Sequence, residues 1–309
     1  MASHVAALIH FYFKKGKDLK NIEVMEAPSQ DGFALLYRRV ISGEQLPILI
    51  RVSTTGTQME DRQLKKKYLY NSWLESLLIR SARHVCTHTE AHREEICTDL
   101  GLKPARMAVI PHGMSLPDLS ASSVGRERFV LTVGRFEPRK GTDTLLKAIP
   151  LVMAQMPDCR FVFAGGGGMA ELWRRKFLEE HGRLADCVRF LGRVPVDELE
   201  TLYQACDFLV SPALYESFGM TYLEAMRHGK PVIGCLKSGG AEEVIGDGGL
   251  LVRQGDATHL AEAIIRLWAD RGLHGELSSR ARLRAEYYSL ELKAERTERH
   301  FAKMIAGEI

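Results

Sequence analysis

Asp207-Phe-Leu-Val-Ser-Pro-Ala-Leu-Tyr-Glu-Ser-Phe-Gly-Met-Thr-Tyr-Leu-Glu224 is the stretch whose reading decides the fold. An apolar run stops at Ser211-Pro212, and apolar residues at helical spacing resume after Gly219. That pattern reads as strand, loop and helix. Working outward, the same alternation recurs on both sides. Apolar or β-branched runs stand at 22–27, 47–54, 84–89, 107–112, 129–134, 160–165, 188–192 and 231–235. Helical periodicity fills most of the gaps, as in TDTLLKAIPLVMAQM, AELWRRKFLEEHG, VDELETLYQA and TYLEAMRHG. Short, nearly continuous apolar strands between amphipathic helices are the mark of parallel sheets covered on both faces. The expected class is α/β.

The totals set bounds around that reading. A chain of 309 residues is long enough for two domains, each with its own core. Its +3 formal charge, 42 Lys and Arg against 39 Asp and Glu, gives no electrostatic case for nucleic acid. Six scattered cysteines without a CxxC pair read as reduced core residues of a cytoplasmic protein. The opening MASHVAALIHFYFKKGKD is too short to span a bilayer and lacks a small-residue cleavage site. The Ser-rich stretch 114–127 reads as a linker. It divides the chain into an N-terminal domain (1–115), a C-terminal domain (126–290) and a charged amphipathic helix (291–309) expected to pack back on the first domain. The first domain is lean, with about four strands.

Two constellations carry chemistry. Glu216 and Glu224 flank a loop at the carboxyl end of a strand, where open α/β sheets bind ligands. The N–H groups of Gly219, Met220 and Thr221 at a helix start form an anion site. Glu216 can reach a sugar hydroxyl, and Glu224, inside the helix, a pair of ribose hydroxyls. The competing reading is two solvated surface glutamates. Gly134-Arg135-Phe-Glu-Pro-Arg-Lys140-Gly141 follows another strand and opens another helix. Arg135 offers a planar fork and Lys140 a point charge for a diphosphate, so that no metal is needed. Its competitor is a basic surface loop.

GRFEPRKG, RFVFAGGGG, VRFLGRV, ALYESFGMTYLEAMRHGKPVIG and SGGAEEVIGDGGLLV occur in this order and spacing. Together they resemble the family 4 glycosyltransferases over 107–300. The resemblance implies the GT-B architecture: two Rossmann-like domains facing across a cleft, here with the N-terminal one incomplete. It also implies metal-independent transfer of a sugar, with retention, from a nucleotide diphosphate sugar, and no cofactor. Matched by motif, Arg135 and Lys140 resemble the diphosphate pair, Glu216 the glutamate facing the donor sugar, and Glu224 the ribose ligand. Arg193 and Val194 resemble the segment whose backbone meets the base, while Gly134 and Gly165 belong to loops at the donor. The catalytic set is then Glu216, Arg135 and Lys140.

The N-terminal part departs from that pattern. NIEVMEAP and LPILIRVST resemble strands from the middle of the family's first domain, so the chain is expected to begin late. The earlier units, and a Gly-rich loop with them, are then expected to be missing, and Ser53 stands where the family often has histidine. A second reading is therefore a non-catalytic donor-binding or regulatory subunit, or an inactive truncated paralogue, completed by a partner chain. A third is another GT-B enzyme, such as an epimerase or phosphorylase. Among weaker signals, Gly165 to Gly168 read as a permissive turn or phosphate cradle. His84, His88 and His92 are spaced by four, but a strand over 84–89 would separate them, so no metal site is expected. His112 before Gly113 reads as a turn residue that tolerates left-handed backbone. The basic, aromatic stretch 61–80 reads as a solvated helix, with peripheral docking to an anionic inner membrane face as the alternative. The acceptor stays unidentified.

Overall fold

A computed structural model of the chain describes residues 22–30, 47–55, 58, 69–118 and 128–309. The opening apolar run, residues 61–68 of the basic stretch and residues 119–127 of the Ser-rich stretch lie outside the described residues. Two compact units result. One holds the described residues up to His88, His92–Ile110 and Glu295–Ile309; the other holds Thr89–Ala91 and Pro111–Ala294.

In the first unit, strands β1 (Met25–Pro28), β2 (Ile48–Arg51), β3 (His84–Thr87) and β4 (Met107–Val109) form a parallel sheet in that order. Helices α1 (Leu69–Ser81) and α2 (Glu90–Leu100) follow β2 and β3. Ile50, Val52, Ile79, Val85 and Ile96 make one core cluster. The C-terminal helix, Leu290–Ile305, contributes Met304 to a second cluster with Leu49, Cys86 and Ile110. Ser53 Oγ accepts a hydrogen bond from Gln30 Nε2 at 3.2 Å. Of the spaced histidines, His84 lies on β3, His88 after it and His92 on α2. His92 bonds Thr87 Oγ1 at 2.5 Å through Nδ1 and Gln58 Oε1 at 3.1 Å through Nε2. Burial pushes its pKa down to about 4, so the ring is neutral near pH 7.

The second unit is a doubly wound sheet. Its strands are β5 (Val130–Val133), β6 (Phe161–Ala164), β7 (Val188–Gly192), β8 (Phe208–Val210), β9 (Val232–Cys235) and β10 (Gly249–Val252). All pair in parallel, in the order β10-β9-β8-β5-β6-β7. The helices are α3 (Thr142–Gln155), α4 (Ala170–His181), α5 (Val196–Ala205), α6 (Met220–Met226), α7 (Ala241–Ile245), α8 (Ala257–Ala269) and α9 (Arg271–Tyr287), followed by α10 (Leu290–Ile305), whose residues from Glu295 on belong to the first unit. Alternation along each strand feeds two cores. Val130, Phe161, Phe163, Phe208, Val210 and Ile233 belong to one, and Leu131, Val162, Ala164, Leu209 and Val232 to the other. Helix starts are fixed by side chains where the sequence supplies them. Asp256 accepts from His259 N and Asp270 from Leu273 N, both at 2.9 Å, and each such cap contributes about 1 kcal/mol.

Met114 and Leu116, in the stretch read as a linker, pack against the second of these cores. Met114 also exchanges backbone hydrogen bonds with Tyr288 and Leu290. His112 corrects one expectation. Among the described residues Lys237 is the one non-glycine at positive φ, so His112 is not left-handed. Its ring instead meets Phe218 edge-on at 5.1 Å. Cys86, Cys97, Cys159, Cys206 and Cys235 are buried and all six cysteines are free. Burial pushes Cys159, Cys206 and Cys235 up to about 12, which leaves them inert packing groups. No helix among the described residues is long and apolar enough to cross a membrane.

Candidate functional site

Strand order in the second sheet reverses between β5 and β8. From β5 the chain winds outward to β6 and β7, then crosses back to β8 and winds the other way. The loops after β5 and β8 diverge at that switch point, leaving the crevice in which open α/β sheets hold ligands. Both sequence-selected loops stand there. The loop after β5 runs from Gly134 to Gly141 and that after β8 from Ser211 to Gly219.

Their charged side chains meet. Lys140 Nζ pairs with Glu216 Oε1. Arg139 Nη1 lies 3.8 Å from Glu216 Oε2 and donates to the Tyr215 carbonyl at 2.8 Å. The side chains are well sheltered, with exposures of 17% for Lys140, 12% for Glu216 and 8% for Arg139. Backbone contacts fix the carboxylate's origin. Glu216 N donates to Ser238 O, and Gly240 N donates to Glu216 O, each at 2.8 Å. Leu214 N donates to Arg139 O at 2.8 Å. Gly141, at φ +65°, sits so close to Pro212 that a Cβ would fall 1.9 Å from its carbonyl oxygen. Only glycine lets the Lys140 and Glu216 loops approach this far.

A second set of loops lies at the carboxyl ends of β5, β6 and β7. Gly134 N donates to Ala164 O at 3.0 Å, Phe136 N to Gly166 O at 2.8 Å and Gly165 N to Gly192 O at 2.7 Å. A Cβ on Gly165 would stand 1.9 Å from Gly134 O. Arg193 follows as an exposed residue, and Val194, half-buried, packs against the second core. Arg135 differs from Lys140. Its side chain is 64% exposed and pairs with Glu137 at 2.9 Å, so it reaches outward instead of packing beside Glu216.

Gly219, Met220 and Thr221 form the start of α6, with Gly219 left-handed at φ +93°. Tyr222, on the same turn, donates its hydroxyl to Ser211 O. Burial raises that phenol well above its ordinary pKa, and the Glu216 charge adds to the effect. Glu224 lies more than a turn into α6, half-buried, and its Oε2 accepts from the Tyr203 hydroxyl at 2.5 Å.

The structure thus brings Lys140 and Glu216 into contact and ties Gly134 to Ala164 and Gly165 to Gly192 through main-chain bonds. It does not pair Arg135 with them. Two residues were not singled out in the sequence. Arg139 sits in the basic pair Arg139-Lys140 ahead of Gly141, and its burial is what a sequence does not show. Tyr203 occupies a core-facing position of an amphipathic helix, and nothing in the periodicity marks its hydroxyl as polar business. Chemically, the switch point offers an acceptor carboxylate beside a sheltered cation, with main-chain N–H groups at a helix start close in sequence.

Comparison with known proteins bears on what such a crevice takes. Residues 127–270 match the family described as Glycosyl transferases group 1. The chain is 30% identical over 253 residues to a D-inositol 3-phosphate glycosyltransferase of Streptomyces bingchenggensis, covering 75% of this chain and 55% of that protein. It is 34% identical over 172 residues to a GDP-mannose-dependent monoacylated alpha-(1-6)-phosphatidylinositol monomannoside mannosyltransferase of Corynebacterium glutamicum, covering 52% and 44%. In structure it is similar to a sucrose-phosphate synthase from Thermosynechococcus elongatus, with TM-score 0.79 and 25% identity, covering 99% of this chain and 78% of that one. The chain spans about half the length of the curated relatives it matches.

Proposed function

From the premise that this chain belongs to the family 4-like glycosyltransferases and has their GT-B fold, we propose that it transfers a sugar, with retention, from a nucleotide diphosphate sugar. The observation that carries the proposal is the meeting of Lys140 and Glu216 at the switch point of the second sheet.

In this reading Lys140 neutralises charge that develops on the departing diphosphate, which lowers the barrier because a preorganised cation needs no solvent rearrangement. Arg135, exposed on the same loop, swings onto the diphosphate as a planar fork. The N–H groups of Gly219, Met220 and Thr221 add partial positive charge at the helix start. Glu216 accepts hydrogen bonds from the donor sugar, and Glu224 from the ribose. The main chain around Arg193 and Val194 meets the base, and Gly134 and Gly165 let main chain approach the donor closely. The cationic side chains do the charge work at the leaving group, so the scheme needs no metal. A relative described as GDP-mannose-dependent supports a nucleotide-sugar donor. The acceptor is a hydroxyl compound, and its proton passes to the leaving phosphate on the same face.

The test is a panel of UDP-, GDP- and ADP-sugars, read by thermal shift, by hydrolysis and by transfer to sugar and lipid acceptors. One donor raises the melting temperature, and Lys140→Ala or Glu224→Ala abolishes that shift. Failure of every nucleotide sugar to bind would overturn the proposal. Binding without hydrolysis or transfer to any acceptor would replace catalysis by donor binding alone.

A further inference from the structure

Glu224 does not stand alone on its helix. Its Oε2 accepts the Tyr203 hydroxyl at 2.5 Å, across from α6 to α5. Tyr203 is completely buried. Its ring lies against His228, with centroids 6.4 Å apart and planes within 8° of parallel. His228 in turn is held by Glu200, Nε2 to Oε2 at 3.0 Å, and Glu200 also pairs with Arg227. The phenol is therefore clamped from below by a chain of side chains that ends in an ion pair.

We propose that Tyr203 is a positioning residue for nucleotide recognition: it pins one oxygen of Glu224 so that the other faces the donor's ribose hydroxyls. This inference rests on the reading of Glu224 given above. A glutamate on a helix surface has three side-chain torsions to order, and a ligand that must order them binds more weakly for it. The Tyr203 hydroxyl does that ordering before the nucleotide arrives. It also occupies one acceptor position of a carboxylate that has about four. Oε1 and the remaining lone pair of Oε2 stay open to a vicinal diol. Burial raises the phenol well above its ordinary pKa, so Tyr203 stays a donor across the working range. Its partner is then the acceptor, and the bond has one sense.

The deciding experiment measures binding of UDP, GDP and ADP, and of the 2′,3′-dideoxy form of whichever binds, by calorimetry. The proteins are the parent, Tyr203→Phe, Glu224→Ala and the double variant. The parent prefers the ribonucleotide. Tyr203→Phe weakens the ribonucleotide by about tenfold, leaves the dideoxy form unchanged, and has no further effect once Glu224 is alanine. A purely structural tyrosine would instead lower the affinity for both nucleotides, and by the same factor with or without Glu224. That result would overturn the proposal. Should Tyr203→Phe fold poorly, equal affinity of the parent for ribo- and dideoxynucleotide would still overturn the proposal, because there is then no ribose contact for Tyr203 to set. If the parent binds none of the three nucleotides, the donor reading falls first and this inference falls with it.

Discussion

Two clusters in the second unit are built from the same parts and lie at opposite ends of the same strands. At the carboxyl ends, Glu216 faces Lys140 and Arg139. At the amino ends, Asp207 Oδ2 takes Arg128 Nη2 at 2.7 Å and Arg271 Nη1 at 2.8 Å, with His274 Nε2 bonded to the Asp207 carbonyl at 3.0 Å. Arg128 also lies over the Trp268 ring, 4.0 Å from its centroid. Each cluster is a sheltered carboxylate among several cations. The difference is what the cations are attached to. The Asp207 partners are locked by a ring face and by helix α9, whereas Lys140 and Arg139 come from a loop that opens on the crevice. Chemistry alone would not tell a structural cluster from a functional one. Their positions along a parallel sheet do, because only the carboxyl end leaves diverging loops.

The largest effect should come from the crevice. Glu216→Gln or Lys140→Ala is expected to cut sugar transfer per folded molecule by about a hundredfold or more, beyond whatever stability the broken sheltered pair costs. Coupled nucleotide-release assays beside calorimetry measure both. A large loss of stability with activity per folded molecule intact would erase the contrast between the two ends.

Asp207→Asn should do the reverse. Removing its charge weakens the bonds to Arg128 and Arg271, which are themselves 37% and 52% exposed, so the loss is about 1 kcal/mol, read as a lower denaturant midpoint. Nucleotide affinity of the folded fraction should stay as it is.

The same cluster predicts a pH dependence. Burial by itself would raise the Asp207 carboxyl, but the Arg128 hydrogen bond and the neighbouring His274, Arg128 and Arg271 outweigh it and hold the pKa below its ordinary value. A group depressed in the folded state contributes fully above its unfolded pKa, about 3.9, and loses that contribution as pH falls through the folded value. Between pH 5 and pH 2 the parent protein should therefore lose more stability than Asp207→Asn. Parallel urea midpoints for the two proteins over that range would refute the assignment.

The smallest expected effect belongs to Arg135. Its side chain is mostly exposed, so Arg135→Ala should change stability by less than about 0.5 kcal/mol. Nucleotide-sugar affinity should fall by about fivefold, in keeping with one solvent-screened phosphate contact. An unchanged affinity by calorimetry would leave Lys140 as the loop's donor-binding cation.

Much of this was legible in the chain itself, and the reasons are physical. Buried parallel strands need unbroken apolar runs, so β5, β6, β8 and β9 announce themselves. β10 does not, since Gly249 leads it and it forms the sheet's edge beside β9. Lys140 and Glu216 were each readable as loop residues at strand ends, but their contact spans 76 positions and only the fold supplies it. Arg139 was hidden by standing next to Lys140, because sequence shows charge and not burial. Tyr203 was hidden by periodicity, which marks a face of a helix and says nothing of where one hydroxyl points. His112 was read through its glycine neighbour, whereas its ring found Phe218 across a hundred residues of chain.

Where Gly165 lies against Gly134, and Gly141 against Pro212, backbone touches backbone with no side chain between. A surface made of main-chain atoms is indifferent to the identity of most residues that form it. Exposed neighbours such as Arg193 can drift in sequence while the floor beneath keeps its shape. The glycines cannot, and a single methyl at Gly165 or Gly141 would force apart two loops at once. Tolerance and fragility are therefore distributed position by position along these loops: a saturation scan across 134–141 and 165–168 would dip sharply at Gly141 and Gly165 as well as at Lys140 and the buried Phe136 and Arg139, and stay shallow at exposed positions.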